Sequence, residues 1–351
     1  MALFRIYPEK DANIWSEPTS AGLYGNAGKD EILEIGGYPD INLIGRTNRS
    51  LIQFKQSDIK TTIDSKVTGG FSASLHLSLA SATEIPSTFN IYAYPISSSW
   101  KNGTGKRIDS PVNRTGCSWK YKDVATTEWT ALGGDFLSSA ATANSQSFDL
   151  TSTYDVNMDV TTAIESMYSE SISNNGLLLK IDDAYENYTS ASINLKYFGS
   201  DTHTIFPPFV EVKWNDTVWS STLTELATDT ATVKIKNHKP EYTDSDKARF
   251  RITARPKYPT RTFTTSSIYL TNYKLPENSY WAIQDDFSQE MIVDFDTTYT
   301  KISADNTSSF FDIYMDILQP ERYYKLLIKT TLDGSNIVID NNNVFKVVKN
   351  G

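Results

Sequence analysis

The stretch from 28 to 55 constrains the fold more than any other part of the chain, because two β-like runs flank a turn-rich loop there. The runs cover 31–35 and 49–54, and Gly, Pro, Asp and Asn dominate the loop between them. In the second run Ile52 and Phe54 share one face of a strand. The pattern predicts a hairpin with one apolar face on a core and the opposite face in water.

The same alternation recurs along most of the chain. The clearest example is a strand whose apolar residues all lie on one face: Phe71, Ala73, Leu75, Leu77 and Leu79. A chain of 351 residues is long enough for two domains, and the strand pattern stops at 215–224. We therefore predict an all-β fold of two β-sandwich domains, with a jelly roll at 1–215 and a second sandwich at 216–351.

One short helix is predicted in the first domain, at 159–170, where Val160, Ile164 and Met167 form an apolar stripe. Thr162 and Glu165 have the spacing of a capping box. By contrast, 56–63 is predicted to be a polar connection with a single helical turn. After the helix, the continuous apolar run at 177–181 is typical of a strand buried on both faces.

Nine short strands, separated by turn signals, are predicted in the second domain. They are 232–235, 248–255, 267–271, 280–284, 291–295, 310–315, 323–330, 336–339 and 344–348. The cluster of Asp and Asn at 340–343 predicts a turn between the last two strands.

Charge and composition exclude several functional classes. Residues 1–215 carry 24 acidic and 17 basic residues, a formal charge of −7, whereas 216–351 carry 18 and 16, a charge of −2. Neither half has the basic patch of a nucleic-acid-binding protein. No apolar run is long enough to span a membrane, and the opening residues lack a signal-peptide pattern, so we expect synthesis and folding in a cytoplasm.

No catalytic constellation, cofactor motif or metal site is predicted. The single Cys117 and three scattered histidines exclude a zinc cluster built from these residue types. Acidic pairs such as Asp182-Asp183 and Asp285-Asp286 are poor acid–base partners on a strand, because adjacent side chains point in opposite directions. We therefore predict a protein without enzymatic activity.

The segment 97–147 departs from the strand pattern and is rich in Ser, Thr, Asn and Gly. It contains Trp100, Trp119 and Trp129. If these rings are exposed, they form a platform on which sugar rings can stack. The other interpretation is that the tryptophans hold the loops in place.

A series of short motifs in the first 215 residues resembles the DNRLRE family, a jelly roll similar to carbohydrate-binding modules. The motifs, in order, are 11–14, 49–54, the SLHLSLA strand at 74–80, Trp119 and Trp129 with Gly133-Gly134-Asp135, 159–161, 175–178, 198–200 and 208–212. The resemblance implies a binding module, mostly secreted or surface-exposed in that family. The lack of a signal-peptide pattern departs from it.

The second domain resembles the C-terminal domain of virion structural proteins from contractile-tailed, T4-like marine phages. The motifs that carry this similarity are Arg249-Phe250-Arg251, 255–259, Leu275-Pro276 and 318–325. It implies a component of the phage particle and does not indicate a position in it. Our reading is a non-enzymatic virion protein of the tail, neck or baseplate, present in several copies and bound to other virion proteins. The alternative is a glycan-binding adhesin or accessory module that recognises a host-surface glycan.

The second domain also concentrates Arg and Tyr, the residue types enriched in buried interfaces. The candidate interface residues are Arg249, Arg251, Arg255, Tyr258, Arg322 and Tyr323. Together with the near-balanced charge, they predict that 216–351 attaches the protein to the particle. The alternative is that the tyrosines fill the sandwich core and the arginines line a solvated face.

Overall fold

Alternating side chains build most of the chain into strands in the computed structural model, which describes residues 3–16, 25–39, 45–124, 126–139, 144–186, 192–259 and 271–350. Strands account for 48% of the structure and helices for 8%, so the predicted all-β class is confirmed. The chain forms two compact units. The N-terminal unit contains Arg5–Lys66 and Ser72–Val212, and the C-terminal unit contains Lys213–Gly351 with short pieces at 1–4 and 67–71.

Before residue 215, the described residues form fourteen strands and three helices. The strands are β1 (Leu3–Ile6), β2 (Pro8–Trp15), β3 (Ile32–Pro39), β4 (Gly45–Phe54), β5 (Phe71–Leu77), β6 (Leu79–Thr83), β7 (Thr88–Pro95), β8 (Tyr121–Asp123), β9 (Thr127–Glu128), β10 (Asn144–Asp149), β11 (Val156–Asp159), β12 (Leu177–Ile181), β13 (Ile193–Phe198) and β14 (Phe209–Trp214). The helices are α1 (Gln56–Lys66), α2 (Thr161–Tyr168) and α3 (Asp183–Glu186).

Two larger sheets organise these strands. One is four-stranded, with the order β1-β14-β5-β11. The other is eight-stranded, with the order β10-β7-β12-β4-β3-β13-β6 and β2 paired to β4. β5, β11 and β14 lie in the first sheet, and the strands between them lie in the second sheet or in a separate β8-β9 pair. The chain therefore passes repeatedly between sheets, as in a jelly roll.

The predicted hairpin forms from β3 and β4, with Gly36 opposite Asn48 in an antiparallel register. The expectation that one face of β4 is wet is wrong, because Leu51 and Ile52 point to opposite faces and both are fully buried. The polar segment after β7 covers the outer face of the sheet at Leu51. The predicted buried strand at 177–181 is confirmed as β12, which is buried along its whole length.

The helix predicted at 159–170 is confirmed as α2, although its start differs from the expected capping box. The helix begins at Thr161, whose backbone N–H donates to Asp159 Oδ1 at 2.9 Å. Thr162 therefore lies inside the first turn. The segment expected to hold a single helical turn instead forms the 11-residue α1, which buries Ile59, Thr62 and Ile63 on one side.

The C-terminal unit contains nine strands among its described residues. They are β15 (Ala231–Lys236), β16 (Glu241–Thr243), β17 (Lys247–Pro256), β18 (Ser279–Asp285), β19 (Met291–Val293), β20 (Ser303–Ala304), β21 (Ser309–Tyr314), β22 (Arg322–Leu332) and β23 (Ser335–Val348), with a 3-10 turn at Met315–Ile317. They form sheets with the orders β15-β17-β21-β20 and β16-β23-β22-β18-β19. Between the sheets, the ring of Phe311 stacks on those of Trp281 and Phe250, with centroid distances of 5.5 and 5.4 Å.

The turn predicted at 340–343 is wrong, because β23 continues through these residues. The ladder with β22 shifts register between Leu326 and Ile328, so the extra residues form a bulge. Asn342 lies in this bulge with φ 53°, a conformation that Asn tolerates better than most residues. The part of the predicted strand at 267–270 lies outside the described residues.

Candidate functional site

The three candidate tryptophans are buried beneath the polar segment they belong to. Trp100, Trp119 and Trp129 are 4%, 9% and 5% exposed. Trp100 Nε1 donates to the carbonyl of Asn175 at 2.8 Å, and Trp129 Nε1 donates to that of Ser118 at 2.9 Å. These rings therefore do not form an exposed stacking platform.

The tryptophans instead belong to a small apolar cluster on the outer face of the eight-stranded sheet. The cluster joins them to residues of β2, β4 and β12, among them Ile14, Leu51 and Leu178, and Phe136 packs at its edge. Gly133 lies against Trp119 in space, because its N–H donates to the Trp119 carbonyl at 2.8 Å. Its φ of +85° suits glycine. The cluster thus holds the polar segment on the sheet, as the second interpretation predicted.

A half-buried aromatic row lies next to this cluster, on β7. Strand alternation buries Phe89, Ile91 and Ala93 and turns Asn90, Tyr92 and Tyr94 outward. The rings of Tyr92 and Tyr94 stack at 5.7 Å with an interplanar angle of 8°, and Phe136 lies 5.0 Å beyond Tyr94. The outward aromatic residues of this strand, rather than the tryptophans, present ring surface to solvent.

A carboxylate that follows the neighbouring strand β12 accepts a hydrogen bond from Tyr92, at the end of this row away from Phe136. Asp182 directly follows β12, which pairs with β7 so that Lys180 lies opposite Tyr92. Its carboxylate accepts the backbone N–H of Asn90 at 2.6 Å and the phenol O–H of Tyr92 at 3.1 Å. Burial, followed by the hydrogen bond to Asp182, raises the pKa of Tyr92, so the phenol stays protonated and donates.

A second carboxylate and a buried ammonium flank the row. Asp183 accepts a hydrogen bond from Lys180, which lowers the pKa of Asp183 and keeps it ionised. Lys180 Nζ also lies 2.9 Å from Glu186 Oε2, and both of these side chains are buried. Because Asp183 stays ionised in its pair with Lys180, its carboxylate accepts hydrogen bonds and does not donate them.

These residues line an open groove of about 810 Å³, a size typical of ligand pockets. Its walls come from β7, β10 and the turn after β12, and they combine aromatic rings with oxygen acceptors. The lining residues are Thr88, Phe89, Asn90, Tyr92, Tyr94, Ser147, Phe148, Asp149, Asp182, Asp183, Ala184 and Tyr185. We call this the Tyr92 groove. The sequence signal that points to it is the pair of tyrosines at the outward positions of an alternating strand.

Three of the four candidate interface arginines of the C-terminal unit are held by carboxylates of the same unit. Each of the three forms an ion pair with an aspartate on a neighbouring strand or turn: Arg249 with Asp312 at 2.7 Å, Arg251 with Asp305 at 2.9 Å, and Arg322 with Asp285 at 2.5 Å. The hydrogen bond from Arg251 is the main reason that the pKa of Asp305 falls to about 2. Arg255 Nη1 donates to the Pro256 carbonyl at 3.3 Å.

The candidate tyrosines of this unit are exposed, in contrast to the arginines. Tyr258 is 75% exposed and Tyr323 is 56% exposed. Phe287, which the sequence did not single out, is 96% exposed. It lies near Tyr323, because the N–H of the preceding Asp286 donates to the Tyr323 carbonyl at 3.0 Å. We call Phe287 and Tyr323 the aromatic corner.

Among the described residues, no group of three or more His, Cys, Asp or Glu side chains is placed to hold a metal ion. None of the described helices has the length and apolar character of a membrane span. No family model and no curated protein sequence matches the chain.

Proposed function

We propose that the protein is a non-enzymatic structural component of a tailed bacteriophage virion, at the tail, neck or baseplate. Its partners are other virion proteins, and several copies are present in each particle. The proposal rests on the resemblance of 216–351 to virion structural proteins. The structural observation that carries it is the aromatic corner of the C-terminal unit.

Exposed aromatic side chains are costly in water and are enriched at the centres of protein interfaces. In the part of the chain that the structure describes, the large aromatic residues among the most exposed apolar side chains are Tyr258, Phe287 and Tyr323, and all lie in the C-terminal unit. Since Arg249, Arg251 and Arg322 already have carboxylate partners, we assign the attachment surface to the aromatic corner and Tyr258 rather than to these charges.

Mass spectrometry of purified particles tests the proposal directly. The phage that encodes the chain is banded on a density gradient, and peptides of this protein are quantified against those of the major structural proteins. We expect a fixed ratio of more than one copy per particle through repeated banding. A protein that is abundant in the infected lysate but absent from banded particles would refute a virion role.

A second candidate function, glycan binding by an adhesin or accessory module on the particle or cell surface, is favoured by the Tyr92 groove. The groove combines exposed rings with fixed carboxylate and amide groups on one face of a sandwich. Such a combination suits a ligand that has both apolar faces and hydroxyl groups. The two functions are compatible, because the attachment surface and the groove belong to different units.

A further inference from the structure

Tyr92, at the end of the aromatic row, places an aromatic ring beside the carboxylate of Asp182, and a sugar ring can use both groups. Among the described residues Tyr92 has one aromatic neighbour, Tyr94, which stacks on one of its faces. We propose that the Tyr92 groove binds an uncharged pyranose saccharide, with a sugar ring stacked on Tyr92 and a sugar hydroxyl donating to Asp182. The inference rests on the second candidate function and names its site and ligand class.

The chemistry of the groove matches the two surfaces of a pyranose. A pyranose ring presents C–H groups on its faces, which pack on aromatic rings, and hydroxyls around its edge, which form hydrogen bonds. Asp182 Oδ2 accepts the Asn90 N–H at 2.6 Å, while Oδ1 accepts the Tyr92 hydroxyl. The Asn90 side-chain amide also reaches Oδ1 at 3.2 Å and Oδ2 at 3.4 Å. A carboxylate has about four acceptor positions, so these three donors leave about one position for a ligand hydroxyl.

The recognition groups are held before any ligand arrives. Tyr92 is supported by the stack with Tyr94 and Phe136, and its hydroxyl is fixed on Asp182. Asn90 is fixed on both sides, since its amide nitrogen lies 3.2 Å from Asp182 Oδ1 and its Oδ1 accepts the Ser147 hydroxyl at 2.6 Å. A groove with fixed side chains loses little conformational entropy on binding, which favours affinity.

The charges around the groove select against ionic ligands. Asp149, Asp182 and Asp183 line it, so an anionic sugar such as a uronic acid is repelled. The attraction for a cation is reduced, because Asp183 is paired with Lys180 and Asp149 Oδ1 accepts the N–H and hydroxyl of Thr151 at 2.8 and 2.7 Å. An uncharged ligand with hydroxyl donors suits this arrangement best.

Binding by the full-length protein tests the proposal. The probes are soluble glucan, mannan and galactan as neutral saccharides, polygalacturonate as an anion and tetramethylammonium as a cation, measured by affinity electrophoresis and titration calorimetry. We expect at least one neutral polysaccharide to bind. Tyr92→Ala and Asp182→Asn should each raise its Kd about tenfold or more, the loss expected for a stacking or charge-assisted contact. Tyr92→Phe, which keeps the ring, should weaken binding less than Tyr92→Ala.

Tyr168 and Asp64 provide a matched control, because the Tyr168 hydroxyl donates to Asp64 Oδ1 at 2.6 Å in the same unit but outside the groove. Tyr168→Ala and Asp64→Asn should leave the Kd unchanged, and calorimetric melting shows whether each variant is folded.

If the wild type binds no neutral saccharide, both the glycan-binding function and the site are refuted. If it binds but Tyr92→Ala and Tyr168→Ala behave alike, only the site is refuted. Preference for polygalacturonate or tetramethylammonium overturns the ligand class.

Discussion

Arg49 and Glu186 form a two-point ion pair on the outer face of the eight-stranded sheet, with Nε–Oε1 and Nη2–Oε2 distances of 2.7 Å. Their side chains are 12% and 4% exposed. The same guanidinium donates to the Gly133 carbonyl at 2.8 Å and lies 5.1 Å from the Trp119 ring. One buried pair therefore joins β4 to α3 and anchors the polar segment that covers the sheet.

Arg49→Ala is expected to lower the free energy of unfolding by about 3 kcal/mol, because removal of one member leaves a buried carboxylate with an incomplete set of partners. Urea denaturation measures the change. The control is Lys60→Ala, which removes the exposed ion pair with Glu170 and should cost less than about 1 kcal/mol. Similar losses for the two variants would contradict a structural role for the Arg49–Glu186 pair.

Trp100→Ala is expected to destabilise the N-terminal unit by about 3–5 kcal/mol, since it opens a cavity and leaves the Asn175 carbonyl without its indole donor. Differential scanning calorimetry should show a lower melting temperature for that unit. Trp219→Ala, at a partly exposed position of the C-terminal unit, is the control and should have a smaller effect. A glycan-binding loss at an unchanged melting temperature would restore the exposed-platform interpretation.

The sequence predicted those strands and helices whose apolar residues recur with a clear strand or helix period. Alternation from Phe71 onward predicted β5, and the stripe of Val160, Ile164 and Met167 predicted α2. The 11-residue α1 was missed because its sequence is mostly polar, with Ile59 and Ile63 as its only strongly apolar residues. Helices of this kind depend on the tertiary packing of one face more than on intrinsic helix propensity.

The candidate site was less predictable, because strand pairing creates it. Tyr92 and Asp182 are 90 residues apart and meet only through the register of β7 with β12. Likewise, nothing in the sequence near Trp100 distinguishes an exposed ring from one that packs on Leu51 and Leu178 of the sheet. The choice between a platform and a core therefore required the fold.

The buried carboxyl of Asp11 gives the N-terminal unit a specific pH dependence. Burial raises its pKa to about 6, although hydrogen bonds from the Ser200 N–H and hydroxyl act in the opposite direction. The folded state therefore binds this proton more tightly than the unfolded state, whose carboxyl titrates near 3.8. The contribution of Asp11 to stability is greatest below about pH 4 and is lost as pH rises through about 6.

Asp11→Asn isolates this contribution, because the substitution removes the titrating group and leaves the other carboxyls in place. Between pH 4 and pH 6 the wild type should lose up to about 3 kcal/mol of unfolding free energy relative to the variant. Above pH 6.5 the difference should be constant. Urea denaturation at a series of pH values measures both curves, and curves that remain parallel from pH 4 to pH 6 would contradict the raised pKa.

The aromatic corner provides the sharpest test of attachment through the C-terminal unit. Phe287 and Tyr323 are both exposed, and the hydrogen bond from the Asp286 N–H to the Tyr323 carbonyl brings their segments together. Phe287→Ser with Tyr323→Ser should therefore leave the fold intact while removing apolar contact area. If the corner is buried against another virion protein, each truncated aromatic costs on the order of 2 kcal/mol of binding, and incorporation should fall at least tenfold. Quantitative mass spectrometry of banded particles, after complementation with the variant, measures this fall.

The control is Ile108→Ser, which removes a side chain that is 87% exposed in the N-terminal unit and should leave incorporation unchanged. Normal incorporation of the double variant, or loss with Ile108→Ser alone, would place the attachment surface elsewhere.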